Sequence, residues 1–466
     1  MEIGKKDTDV KREVIDWRQF DWPAYKSLTG NRLGLLQEQW TNSDDLDVDC
    51  MVSELCKIIN ECVAEVAITK VISVHSKPWI SRDIADLLKR VRKQKKKCRL
   101  RKSRVNVQEY KKMQAEVIDK IKVAENEWWL AECDKLKQAS ESEKWRIINR
   151  LTNQTTSVGI QPLKKLIDGK EVYLFNDNDI RTELEEYHIR KDNSEVVQSD
   201  EGEIDIEDTI KDCVEQAMKG TGNFWMDSDI SDYEVKATFG RGTDTSGPDD
   251  ISAKLVDNAD RKVMHMCLKF LWNKAWATGY FPIDWKKENR SVIPKPGKDN
   301  YNESKAYRTV SVTSCLGKRF EFISSQRLIS VLKMQGFDKD QYAYLKNRSV
   351  TQAILIVVES IKKGLLNGDK AAAVFFDFTD AFGTVNRRHL LLKISRDFGI
   401  SGRLFLHIAS FLKDRLARIK MDDDVGDWLQ SNYGTSAGTS LGPYCCLLYE
   451  TLPNCSACLL ERYHKF

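Results

Sequence analysis

In the stretch VFFDFTDAFGTVNRRHLLLKI, residues 374–394, Asp377 stands near the end of a β-rich apolar run. An ionised carboxylate beside a buried strand is costly unless an opposite charge compensates it. A divalent metal is one such partner. Two-metal phosphoryl transfer needs clustered carboxylates that hold two Mg²⁺ ions about 4 Å apart, one activating the attacking oxygen and one stabilising the leaving group. A carboxylate on a rigid strand suits that task, and the backbone carbonyl of Phe378 can add a second ligand. Strand alternation turns Phe376 and Phe378 to the face opposite Asp377, where they can pack. The other reading is an aspartate that caps the turn DFTDAF, and on this stretch alone both stay open.

Other segments add groups suited to nucleotides. VIPKPGKDNYNESKAYRTVSV carries Lys295 on a loop between two strands and Arg308 at the start of the second. Cations on such a hairpin can grip a triphosphate, although each taken alone is an ordinary surface charge. SAGTSLGP, from Ser436, puts Gly438 and the Gly442-Pro443 pair before a helix, a loop that lets backbone approach a flat base closely. A third segment, KRVRKQKKKCRLRKSR, holds eleven basic residues and no acid: Lys89, Arg90, Arg92, Lys93, Lys95, Lys96, Lys97, Arg99, Arg101, Lys102 and Arg104. A solvated helix normally mixes signs to gain i,i+4 pairs. The missing acids favour a nucleic-acid arm over a merely solvated face. Cys455 and Cys458 form a lone CxxC near His464, a weak pattern for zinc without a second pair.

The elements that must position these groups follow from periodicity. Residues 49–68 carry Leu55, Ile58, Ile59, Cys62, Val63 and Val66 on one helical face. Ser81 is a candidate N-cap for a helix that enters the basic arm. Residues 80–137 read as one long helix or as two antiparallel ones, with a stripe running from Val107 to Ala124 and with Trp128 and Trp129 adding weight. LKKLIDGKEVYL reads as a β-hairpin turning at Asp168-Gly169. Beyond an acidic, aromatic-poor spacer near residues 193–208, the texture changes to helix and strand in alternation. Residues 253–278 form one strong helix in this reading, SVIPKPGKD a strand that breaks into a Pro/Gly loop, YRTVSVTS an alternating strand, and AAAVFFDF a buried strand. Helices over 386–398 and 403–416 follow, then a hairpin whose tip holds Asp422, Asp423 and Asp424.

The 466 residues are enough for two to four domains. A hydrophobic share of 41% allows a real core, while 31% charged residues and a net charge of +4 hide the uneven basic and acidic blocks. Twelve cysteines without a secretory leader predict reduced thiols and an intracellular protein, nuclear or cytoplasmic. No apolar run approaches the roughly 20 residues of a membrane span, so no membrane is expected among the partners.

The order of these pieces is more specific than any one of them. GPDDISAKLV, GYFPIDWKKENRSVIPKPGKD, KAYRTVSVTSCLGKRFEFISSQRL, QYAYLKNRSVTQAI, AVFFDFTDAFGTVNRRHLLLKI with FGISG, and GTSAGTSLGPYCCLLYETLP together resemble the reverse transcriptase of non-LTR (LINE-type, jockey-like) retrotransposons. The resemblance implies an α/β (α+β) fold, the fingers and partial palm of a right-hand polymerase preceded by a mostly helical linker. It implies RNA-directed DNA polymerase activity with Mg²⁺, or Mn²⁺ in its place, acting on an RNA template, a DNA primer and dNTPs. Asp377 takes the place of the first catalytic aspartate and metal ligand, with the Phe378 carbonyl beside it. Phe382 takes the place of the gate under the incoming sugar, and Lys295, Arg308 and Gly438 belong to the nucleotide site. Gln341 and Arg348 fall near the template path.

The departures are equally specific. Gly383 replaces the usual aspartate of AFDxV, Ser436-Ala437-Gly438 replaces PQG, and Tyr307-Arg308-Thr309-Val310-Ser311 replaces YRPIS. The paired aspartates of the next motif, (F/Y)xDD, would lie past Phe466, and Asp422 to Asp424 do not substitute for them. The chain by itself is therefore expected to be inactive. Its alternatives are a non-catalytic nucleic-acid-binding remnant or a pseudogene product. The expected division is 1–75, a helical remnant following an endonuclease; 76–192, a basic helical linker; 193–232, an acidic linker; 233–453, the polymerase segment; and 454–466, an unrelated tail.

Overall fold

The computed structural model describes residues 11–43, 45–73, 79–100, 104–136, 144, 160–167, 170–190, 211–212, 214–216, 218–219, 224–242, 244–298, 300–335, 340–375, 380–421 and 424–450. Two compact units emerge. One is formed by residues 1–20 and 67–159, the other by residues 21–66 and 160–466.

In the first unit, β1 (Lys11–Ile15) pairs antiparallel with β2 (Thr69–Ser73). The Lys70 ammonium meets Asp16 at 2.8 Å beside that ribbon. The helix Arg82–Leu100 starts where the Ser81 hydroxyl accepts from the Ile84 amide. It is followed by the helix Arg104–Leu136. Of the two arrangements the sequence allows, the hairpin is the one observed. Gln94 donates to Glu109 at 2.9 Å near the turn, and Trp79 lies against Trp128 at the far end, ring centroids 5.3 Å apart. Val117 is buried, but Val107 of the same stripe is exposed.

The second unit begins with the helices Trp22–Thr41 and Val48–Val66. Asp21 caps the first by accepting from the Ala24 amide at 3.0 Å, and Pro23 suits its first turn. The expected face of the second is buried at Leu55, Ile59, Cys62 and Val63. Both pack on the helix Arg261–Ala277, where Trp40 stacks on Phe270. Trp272, Trp276, Phe281, Trp285, Phe320 and Phe411 form the aromatic centre of the core.

The sheet that carries the candidate site has the order β6-β5-β7-β8, with β9 also on β7. The ribbon β3 (Leu163–Ile167) and β4 (Lys170–Leu174) packs nearby through Leu163. Central β5 (Lys287–Pro294) runs antiparallel to β6 (Tyr307–Thr313), with Ile293 opposite Arg308. It runs parallel to β7 (Arg415–Met421), with Lys287 opposite Leu416. Short β8 (Asp424–Val425) and β9 (Leu429–Ser431) complete the expected hairpin region. This mixed helix-and-sheet unit is the α/β architecture expected; no helix among the described residues is long and apolar enough to cross a membrane.

Three expectations need correction. Residues 253–278 form two helices, Ala253–Asn258 and Arg261–Ala277, because the Asp260 carboxylate accepts from the Lys262 and Val263 amides and starts a new helix. The helix expected over 403–416 spans Gly402–Leu412, since Arg415 already belongs to β7. The buried strand expected at AAAVFFDF is not present over its described part: residues 371–375 are exposed and unpaired with any described strand, with Phe375 at 86% exposure. Apolar character alone cannot make a strand without a neighbour to complete its hydrogen bonds. The preceding helix, Val350–Leu366, is well capped by Ser349 and Gln352, yet none of its side chains is buried.

Candidate functional site

The β5–β6 turn is braced from within. Lys295 follows β5 directly, and its amide donates to the Ala306 carbonyl at 2.9 Å. Its ammonium donates to the Lys305 carbonyl at 2.9 Å. The Tyr301 hydroxyl donates to the Lys295 carbonyl, and the Tyr307 hydroxyl donates to the Tyr301 carbonyl. Along β6 the inward residues Tyr307, Ser311 and Thr313 are buried, while Arg308 and Val310 are exposed. Arg308 therefore presents its charge to solvent from a fixed strand.

The loop from Gly434 to Leu441 ties this hairpin to the segment after Asp377. At its start, the Gly434 amide donates to Val385 and the Thr435 amide to the Phe382 carbonyl, at 2.9 and 2.7 Å. At its middle, the Ser311 amide of β6 donates to the Ala437 carbonyl at 2.9 Å. Gly438 has φ +107°, and a Cβ there would stand 2.7 Å from the Ser311 carbonyl oxygen. Glycine is thus required by both conformation and closeness. Lys295, Arg308, Phe382 and Gly438 are thereby connected through one loop and one strand.

Beneath the loop lies a charged network with almost no exposure. Glu288 in β5 accepts from Arg290 at 2.8 Å and from Arg415 at 3.4 Å. Burial alone would raise this carboxyl, but Arg290, Arg415 and the Ser436 hydroxyl pull it down to about 2. Glu321 accepts from the Ser440 and Leu441 amides at 2.7 and 3.4 Å. Burial raises its carboxyl above the usual range, against the pull of Arg415 and those amides. Arg387 donates to the carbonyls of Leu412, Tyr433 and Gly434 at 2.8, 2.9 and 2.7 Å, and to that of Ser431. It locks the segment after Phe382 to β9 and to the loop. Sequence reasoning missed Glu288, Arg387, Arg415 and Ser436. The one available signal was charge inside apolar runs, as in KENRSVIP and RLARIKM.

Other expected site residues stand apart or cannot be placed. Asp377 and Phe378 lie outside the described residues, as do Arg101 and Lys102 and the Cys455, Cys458 and His464 group. Gln341 and Arg348 join each other, Arg348 donating to the Gln341 carbonyl while its guanidinium faces the Tyr342 ring. Asp424 pairs with Arg181. Lys89, Arg90, Arg92, Lys93, Lys95 and Lys97 are exposed along one helix. Lys96, Arg99 and Arg104 belong to the same helical hairpin.

Fit to a divalent metal can be tested on the described acids. Asp380, the nearest to Asp377 in sequence, is exposed with φ 52°, and its carboxylate lies against Gly383. Among the described residues no three acidic, histidine or cysteine groups gather as metal ligands would.

Residues 293–451 match the family described as reverse transcriptase (RNA-dependent DNA polymerase). The probable RNA-directed DNA polymerase from transposon X-element of Drosophila melanogaster is 25% identical over 253 residues, 53% of this chain and 26% of that protein. The RNA-directed DNA polymerase from mobile element jockey of the same organism is 28% identical over 194 residues, 41% of this chain and 21% of that protein. A third, the probable RNA-directed DNA polymerase from transposon BS, also of Drosophila melanogaster, is 25% identical over 191 residues, covering 41% and 20%. The chain therefore spans between 20 and 26% of the length of these curated relatives. Residues 293–451, with their braced hairpin and glycine loop, thus match the reverse transcriptase family, and the chain is similar over part of its length to RNA-directed DNA polymerases of transposons.

Proposed function

We propose that the second unit is the nucleotide- and template-handling part of an RNA-directed DNA polymerase, fingers and part of a palm, that copies RNA into DNA. The observation that carries this is the link from β6 through Ala437 and Gly438 to Phe382, within residues that match the reverse transcriptase family. In this reading Arg308 and Lys295 neutralise the phosphates of a dNTP, Phe382 bounds its sugar and Gly438 leaves room for its base. Electrostatic positioning is most of what such a site supplies in phosphoryl transfer. Polymerases of this family use divalent ions. Asp377 would be one ligand, and one carboxylate cannot hold two cations against their mutual repulsion. We therefore expect further carboxylates beside Asp377 in the working site, and nucleotide engagement that depends on Arg308.

The test pairs photocrosslinking of a radiolabelled dNTP with primer extension on an RNA template. Primer–template-dependent labelling of residues 293–311, reduced several-fold by Arg308→Ala, supports the reading; labelling that ignores both template and Arg308 sinks it. Extension that Asp377→Ala leaves unchanged would overturn the role given to Asp377.

A second role has its own observation. Six exposed basic residues on the helix Arg82–Leu100 favour binding of nucleic-acid phosphates by the first unit without catalysis.

A further inference from the structure

The helix Val350–Leu366 in the second unit is closed at both ends. The Ser349 hydroxyl accepts from the Gln352 amide at 3.3 Å, and the Gln352 side chain accepts from the Ser349 amide at 2.8 Å. At the other end the Asn367 amide donates to the Lys363 and Gly364 carbonyls. Such caps fix the ends of a helix but do not sustain its middle. Seven of its 17 residues are β-branched, among them Ile354, Val357 and Ile361, and such side chains lower helix propensity. Most of a helix's stability comes from packing an apolar face. None of these side chains is buried within the chain: Val350 is 72% exposed, Ile354 58% and Leu365 59%.

The exposed apolar residues share a face. Val350, Ile354, Val357, Ile361 and Leu365 follow one another at spacings of 4, 3, 4 and 4, which sets them on one stripe. Gln352, Glu359 and Lys363 occupy the opposite side. Glu359 and Lys362 pair with each other at 3.3 Å off the stripe, so the stripe itself carries no charge. Gly364 lies on it near the C-terminal end, and a Cβ there would meet nothing closer than the Asp369 Cβ at 3.9 Å, which leaves room for a partner's side chain. With the flanking Leu355, Ile356 and Leu366, the helix exposes on the order of 800 Å² of apolar surface. A solitary soluble chain rarely leaves more than a few hundred Å² in one patch, whereas each partner of a stable complex covers about 800 Å².

We propose that a second copy of this chain covers the stripe, the two helices packing face to face across a two-fold axis. A two-fold contact puts the same surface on both sides, so that surface must match itself. An uncharged stripe spaced by threes and fours does so, because its side chains fit between those of an identical helix. Isoleucine and valine dominate the seam, and their stiff side chains lose little further freedom on packing. The exposed area is of the size that such a dimer needs. The assignment stands on this helix and does not rest on the polymerase reading.

Sedimentation velocity of the purified chain over a wide range of concentration tests it. A monomer–dimer equilibrium is expected. Ile354→Glu should weaken association at least about tenfold. Ile354 is exposed in the single chain, so the thermal transition of dilute protein should stay in place. Lys363→Gln, on the opposite side, should leave association unchanged. A second measurement holds even if Ile354→Glu misfolds. A benzophenone photocrosslinker placed at Val357, in an equal mixture of unlabelled and ¹⁵N-labelled chains, should join residues 350–366 of the two. A chain that stays monomeric at every concentration overturns the proposal, as does association that Ile354→Glu leaves unchanged. Crosslinks confined to one chain, or made to a co-purified protein in place of the second copy, overturn it too.

Discussion

The amide of Ser311 donates a 2.9 Å hydrogen bond to the carbonyl of Ala437, 126 positions along the chain. This bond lays the glycine loop along the free edge of β6. It couples the placement of Arg308, three residues earlier on the same strand and about 10 Å away, to that of Gly438.

Gly438→Ala should therefore disturb both. Its Cβ would enter the space of the Ser311 carbonyl oxygen at 2.7 Å, in a backbone conformation that disfavours any side chain. A loss of about 2–3 kcal/mol in denaturant unfolding is expected, with weakened dNTP crosslinking. Gly297→Ala is the control: φ is +71° but nothing stands within 4 Å, so only about 1 kcal/mol should be lost.

Arg387→Lys should be severe despite its conserved charge. The guanidinium fork serves several carbonyls across three segments, and an ammonium cannot reach them all. Buried acceptors left unpaired predict a loss of about 3–5 kcal/mol. A denaturation midpoint unchanged within error would show that the fork is dispensable.

Acid should weaken the second unit through two buried histidines, against a smaller opposite contribution from Glu321, whose raised carboxyl takes up its proton in the folded chain first. Burial depresses His407 to about 3 and His188 to about 4, from an ordinary 6.5. The unfolded chain takes up these protons first. The contribution is thus complete above pH 6.5 and is lost as pH falls toward the two depressed values, at about 1.4 kcal/mol per pH unit for each histidine. His407→Leu should remove about half of the slope between pH 6 and 5. Glu288 adds a separate loss only at lower pH, because its folded value lies near 2. Unfolding free energies measured across pH 4.5–7.5 check the sign: a stability that rises on acidification contradicts it.

For the basic helix, affinity for single-stranded RNA should fall steeply with salt. Each neutralised phosphate contributes about 0.7 to the log–log slope. Replacing Lys93, Lys95 and Lys97 by Gln should lower that slope by about 2. An unchanged slope would place the binding elsewhere.

Local signals were enough for a good part of this protein. SVIP marked the second half of β5, alternation in YRTVSVTS specified β6, the apolar spacing of residues 49–68 specified the helix Val48–Val66, and Ser81 marked a helix start. These depend on neighbours within a turn or a strand. The order of motifs from GPDD to SLGP likewise pointed to the family that residues 293–451 match. Helix breaks were less legible. The Asp260 cap interrupts a run whose apolar period continues through it, because capping is a side-chain choice that period does not record.

The tertiary structure alone decided what supports the site. That Glu288 meets Arg415 and that Arg387 reaches the carbonyls around Gly434 depend on contacts across 47 to 127 positions. It also decided that residues 371–375, apolar enough for a buried strand, lie exposed. Hydrophobic sequence states a preference for burial. Only a neighbouring surface with matching hydrogen bonds can satisfy it.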